Sequence, residues 1–129
     1  MIKWFERHNK LSWTITILIA VLIFYLSSLS FLDFGKGIYQ ASWRAIVYHV
    51  VIFFLLSIFF FISFLNGKQN NFLLFISFFV LVAYGVIDEL HQSFVIGRFP
   101  SVLDLIFDSI GILFASMVYF IRLENKKLF

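Results

Sequence analysis

Four of the chain's seven acidic side chains, Asp88, Glu89, Asp104 and Asp108, fall within residues 88–108, "DELHQSFVIGRFPSVLDLIFD". The same stretch carries His91, Gln92 and Arg98, and His49 and Arg44 lie upstream. Carboxylates and imidazoles of this kind move protons, and guanidinium groups bind anions through paired N–H donors. Spacing decides whether they can act together. If the residues on either side of "GRFP" are helical, Asp88, His91 and Gln92 share a face by i,i+3 and i,i+4, and so do Glu89 and Gln92. Asp104, Asp108 and Gly111 align by i,i+4 and i,i+7. Glu89, His49 and Asp108 are the candidate acids and bases. Arg98 and Arg44 are the candidate anion clamp, with Asp88, His91, Gln92 and Asp104 as further binding groups.

The elements that position these residues follow from composition. The 129 residues are 62% hydrophobic and only 13% charged, against roughly a quarter charged in an ordinary soluble domain, so an integral membrane protein is expected. Four stretches suit a hydrocarbon core of about 30 Å, which needs about 20 helical residues: 11–31, 45–65, 72–96 and 102–121. The polar breaks "LDFGKGIYQ", "NGKQNN" and "GRFP", the last holding the single proline Pro100, read as turns. The expectation is one all-α domain over residues 1–129, a bundle of four transmembrane helices. The end of the first span, "YLSSLS", lacks a cleavage-site pattern and predicts a retained anchor.

Basic residues set the expected topology. Lys3, Arg7, Lys10, Lys68, Arg122, Lys126 and Lys127 fall on one face, and Lys36, Arg44 and Arg98 on the other. Both termini are therefore expected in the cytoplasm of a multi-pass cell-membrane protein, with "GRFP" outside. At about 1.5 Å per residue Asp88 lies about 24 Å along its helix, near the outer edge of the core. Folding the last two helices about Arg98 sets Asp88 level with Asp108 and Gln92 level with Asp104, with His49 entering at similar depth from the second helix. Gly111 and Ala115 form a small-xxx-small stripe for close helix approach. Intramembrane acids cost about 2.5–3.5 kcal/mol each when centrally placed, and few cations stand nearby. One or more of Asp88, Glu89 and Asp108 is expected to hold a proton, or the cluster to take a cation or a ligand's ammonium group.

Other chemistry is excluded or unsupported. With no cysteine, disulfides, thiolate metal sites and cysteine catalysis are ruled out. Serine-triad, phosphate-loop and dinucleotide motifs are absent, as is any basic patch with interleaved aromatics for nucleic acid. A metal variant would draw on Asp88, His91, Asp108 and His49; without a pattern such as HExxH, no metal or cofactor is expected.

The run "YGVIDELHQSFVIGRFPSVLDLIFDSIG" resembles the VanZ-like family of small bacterial membrane proteins, whose D/E-E-x-x-Q-x-F-x-x-G-R element precedes a D-x-x-x-N/D-x-x-G helix. His49 with Phe53 is similar to the family's His-x-x-x-aromatic element, and "YLSSLS" to its Ser-Ser pair; the likeness runs from about Ser27 to Gly111. Ile96 stands where the family often has proline, and Arg44 does not align with the basic residue before the family His. The resemblance implies an association with the cell envelope and, for founding members, low-level resistance to the glycopeptide teicoplanin. The favoured expectation is recognition or processing of a lipid-linked or phosphate-bearing envelope component at the outer leaflet, the partners being membrane lipids or a lipid-linked precursor. Two alternatives stand beside it: a proton- or cation-coupled transporter, which four helices would serve best as a homo-oligomer, and a structural or partner-binding subunit whose polar layer only assembles helices.

Overall fold

The computed structural model describes residues 1–29 and 43–127. The "LDFGKGIYQ" turn with Lys36, and the end of the first expected span beyond Leu29, lie outside the described residues. All regular structure among the described residues is helical: α1 Ile2–Arg7, α2 Asn9–Ser28, α3 Trp43–Leu65, α4 Asn71–Gln92 and α5 Val102–Lys127. Four of these, from α2 to α5, are long and apolar enough to cross a membrane.

Two boundaries differ from the hydropathy reading in an informative way. The third span was expected to reach Ile96, but α4 ends at Gln92 and Ser93 caps it. Phe94, Val95 and Ile96 are apolar yet form a turn, which closes at Gly97 with φ 84°, a backbone angle open to glycine at little cost. The basic N-terminal flank, in turn, forms α1, which is set off from α2 at His8. Phe5 lies edge-on to Phe59 of α3 at 5.1 Å, so the flank folds against the bundle.

The four long helices run up, down, up and down. Thr16 of α2 meets Ser63 of α3, and Ser27 meets Asp88, so α2 is antiparallel to α3 and parallel to α4. Likewise His49 pairs with Asp108 and Phe61 stacks near Tyr119, which makes α3 and α5 parallel. Around the bundle the order is α2, α3, α5, α4; α2 and α5 occupy opposite corners and make no close backbone approach. Phe53, Leu56, Phe61, Ile112, Ala115 and Tyr119 fill the middle, while Ile17, Val21, Phe75, Phe79 and Phe120 face outward and exposed. Apolar surface of that extent belongs in lipid rather than water.

Packing is tightest between α3 and α5, and Gly111 is the reason. A Cβ built on Gly111 would sit 2.4 Å from the Val50 carbonyl oxygen and 3.0 Å from the Phe54 nitrogen. The expected small-residue stripe therefore works against α3, and its partner Ala115 is fully buried. At the other end of the bundle α3 hands over to α4 through Asn66 (φ 48°) and Gly67 (φ 72°), both left-handed, a conformation that asparagine and glycine supply at helix ends. Asn70 then caps α4 by accepting from the Leu73 N–H at 3.0 Å. Beneath, Arg122 donates to Glu6 at 3.3 Å, and the Tyr119 hydroxyl donates to Glu6 while accepting from the Gly67 N–H. That clasp ties the start of the chain to the end of α5.

Candidate functional site

The opposite end of the bundle, where α2 and α4 finish and α3 and α5 begin, holds a polar layer. Asp88, Glu89, Gln92 and Asp108 are buried there, Asp108 completely. Because Gly111 lets α3 and α5 touch backbone to backbone, His49 and Asp108, one neighbour and one turn away from the crossing, come within 2.9 Å through Nδ1 and Oδ1. The other imidazole nitrogen, Nε2, faces Asp104 Oδ2 at 3.8 Å. His49 thus stands between two carboxylates of α5.

From α4, Asp88 accepts through Oδ2 from the Ser27 hydroxyl at 2.8 Å and from Gln92 Nε2 at 3.0 Å. Gln92 also reaches Glu89 Oε1, at 3.5 Å, and so bridges neighbouring acids. Glu89 Oε2 accepts from the backbone N–H of Ser101 at 2.7 Å. Ser101 is the N-cap of α5, its hydroxyl accepting from the Asp104 N–H. In a usual capping box the acid three residues on would return a bond to the cap's own N–H. Here Glu89 makes that bond from the neighbouring helix, which leaves Asp104 turned to His49.

Two acceptors stay open. Asp88 Oδ1 and Asp108 Oδ2 are buried with no hydrogen-bond partner among the described residues, a condition that in a native protein calls for a specific reason. The N-termini of α3 and α5 point at this layer and favour negative charge, by about 0.3–1 kcal/mol each. Set against about 2.5–3.5 kcal/mol per buried acid, that is too little to hold four carboxylates, two of them near the C-terminal end of α4, where the helix dipole opposes them. Arg98 supplies one positive charge. Its Nε donates to the Leu29 carbonyl at 3.0 Å and its Nη2 to that of Leu26 at 2.7 Å, so the guanidinium is planted on the end of α2.

Arg98, Asp88, His49, Gln92 and Tyr48 share the wall of a cavity of about 230 Å³ with apolar Ile23 and Phe53. Of the expected members, Glu89, Asp104 and Asp108 belong to the layer but do not line this cavity, and two more are elsewhere. Arg44 is exposed, with its guanidinium over the Trp43 ring at 5.7 Å, and does not line this cavity. His91 stacks on Phe24 at 4.2 Å, and its Nε2 meets the Ser28 hydroxyl at 2.9 Å. Helix geometry accounts for this: at about 100° per residue, Gln92 lies about 40° to one side of Asp88 and His91 about 60° to the other. Ser27, Tyr48 and Ser101 join the site without having been singled out as site residues. Only Ser27 had a visible signal, as part of the Ser-Ser pair.

Fold and site together define a multi-pass membrane protein with a buried acid–histidine layer at one end of a four-helix bundle. Compared with family models, curated proteins and solved structures, the chain matches none.

Proposed function

We propose that this protein recognises or processes the polar headgroup of a lipid-linked or phosphate-bearing cell-envelope component. The observation that carries the reading is the cavity itself, whose lining combines Arg98, His49 and the buried Asp88 with apolar Ile23, Leu26 and Phe53. At about 230 Å³ it is smaller than the roughly 300–1,000 Å³ of ordinary small-molecule pockets. It therefore suits a headgroup whose chains remain in lipid. Arg98 complements an anionic part of the ligand, and His49, held by Asp108 at 2.9 Å, stands beside it.

Topology adds support. Lys3, Arg7, Lys10, Lys68 and Arg122 belong to the end of the bundle opposite the acids, and the positive-inside rule assigns that end, with both termini, to the cytoplasm. The cavity then faces the outer leaflet of the cell membrane. The likeness to the VanZ-like family points the same way, towards the cell envelope and a contribution to teicoplanin resistance. A transport reading finds less support: Leu56, Phe61 and Ile112 fill the middle of the bundle, and no acid, base or histidine lies between the two ends among the described residues.

The test is lipid and cell-wall precursor analysis of cells with and without the protein, beside Arg98→Ala and Glu89→Gln at matched membrane abundance. A precursor or lipid shift that requires both side chains is the expected result. Identical profiles in all four strains would remove the proposal.

A further inference from the structure

The three side chains at the heart of the polar layer have a further use. His49, Glu89 and Asp108 each offer one ligand atom, and these atoms all lie within 4.8 Å of one another. They come from three different helices, α3, α4 and α5. Asp108 is fully buried and its Oδ2 has no partner. That oxygen lies 3.5 Å from the position a Cβ would take on Gly85, so it is turned to the face of α4 on which Glu89 stands one turn later. Glu89 keeps Oε2 on the Ser101 N–H and leaves Oε1, met only by the long 3.5 Å contact from Gln92.

We propose that His49, Glu89 and Asp108 form an intramembrane site for one divalent first-row metal ion, with Asp104 as the carboxylate that orients the histidine. The distances suit an ion. Ligand bonds of about 2.1 Å separate neighbouring ligand atoms by about 3.0–3.4 Å and opposite ones by about 4.2 Å. The observed 2.9 Å between His49 Nδ1 and Asp108 Oδ1 matches the first figure, and the 4.8 Å bound on the widest pair needs only a small turn of Glu89. If Nδ1 takes the metal, Nε2–H faces Asp104 Oδ2 at 3.8 Å, the carboxylate–histidine–metal arrangement that fixes an imidazole's tautomer and orientation.

Charge decides in favour of a cation over a structural hydrogen bond alone. Two carboxylates and a neutral imidazole around a 2+ ion sum to zero, which leaves only Asp88 and Asp104 against Arg98 and the helix dipoles. The donor set, one nitrogen and two carboxylate oxygens, fits Zn²⁺ or Mn²⁺ better than the all-oxygen shell preferred by Ca²⁺.

Purified full-length protein in detergent, stripped with a chelator and titrated with Zn²⁺ and separately with Mn²⁺, tests this without any envelope ligand, so its failure would leave the headgroup reading standing. Elemental analysis after gel filtration should give close to one ion per chain, and the ion should raise the unfolding temperature. Asp108→Asn and Glu89→Gln should each weaken binding at least tenfold and abolish the thermal shift, while His8→Gln, which alters an exposed histidine at the other end, should change neither. Should Asp108→Asn fail to fold, Glu89→Gln alone decides. Absence of stoichiometric binding for both ions, or binding unchanged in Glu89→Gln, would overturn the site.

Discussion

Substituting Gly111 by alanine sets two effects of known size against each other. Alanine is the better helix former by about 0.8–1.0 kcal/mol, so on an open face of α5 the change would stabilise. Here the new methyl would lie 2.4 Å from the Val50 carbonyl oxygen and 3.0 Å from the Phe54 nitrogen. A carbon normally approaches a carbonyl oxygen to about 3.3 Å, so α3 and α5 must part by about 0.9 Å. The obstacle is backbone, which cannot rotate aside, and overpacking of this kind costs about 1–3 kcal/mol. The net expectation is a loss of up to about 2 kcal/mol, together with stretching of the 2.9 Å contact between His49 and Asp108 beyond hydrogen-bond range. Gly85→Ala is the matched control. Its methyl would meet Leu105 at 3.3 Å, the Phe53 ring at 3.4 Å and Asp108 Oδ2 at 3.5 Å, side-chain atoms at near-contact distance rather than backbone, so it should be close to neutral, within about 1 kcal/mol. Thermal and denaturant unfolding of the two variants in the same detergent measures the contrast. Gly111→Ala proving as stable as Gly85→Ala would refute the claim that a backbone crossing at Gly111 builds the site.

Two smaller effects belong to the same scheme. Ser27→Ala removes the 2.8 Å donor to Asp88 Oδ2; because the acceptor is a buried carboxylate, unfolding should show a loss of about 1.5–3 kcal/mol, and a change under half that would mean that α2 does not anchor Asp88. Asn70→Ala deletes the cap on α4 and should cost about 0.5–2 kcal/mol while leaving metal binding unaltered, since it lies at the far end; weakened binding would contradict the separation of the two ends.

Much of this architecture could be read from the residues because lipid imposes a length and an apolar surface on every span. Trp43–Leu65 and Asn71–Gln92 begin within two residues of the expected starts, and the depth of His49 agrees with that of Asp108. Hydropathy failed where caps and backbone angles rule, as at Ser93 and Gly97, where apolar Phe94 to Ile96 form a turn. Face sharing failed at His91, because spacings of three and four residues fall on opposite sides of Asp88. Arg98 stands at the expected level, but its hold on the α2 carbonyls spans about seventy residues of sequence, and backbone acceptors carry no side-chain signal. For the same reason the transfer of the cap bond from Asp104 to Glu89 could not be anticipated: "SVLD" is an ordinary helix start until another helix brings a better acceptor.

The clasp of Glu6 with Arg122 and Tyr119 bears on biogenesis. Ribosomes deliver Glu6 ahead of Tyr119 by 113 residues, so α1 must wait unfastened until α5 has been made. Insertion of α5 then latches α1 in place. A nascent protein arrested before Tyr119 would keep that helix loose and open to protease, and the point at which protection appears would report when the bundle closes.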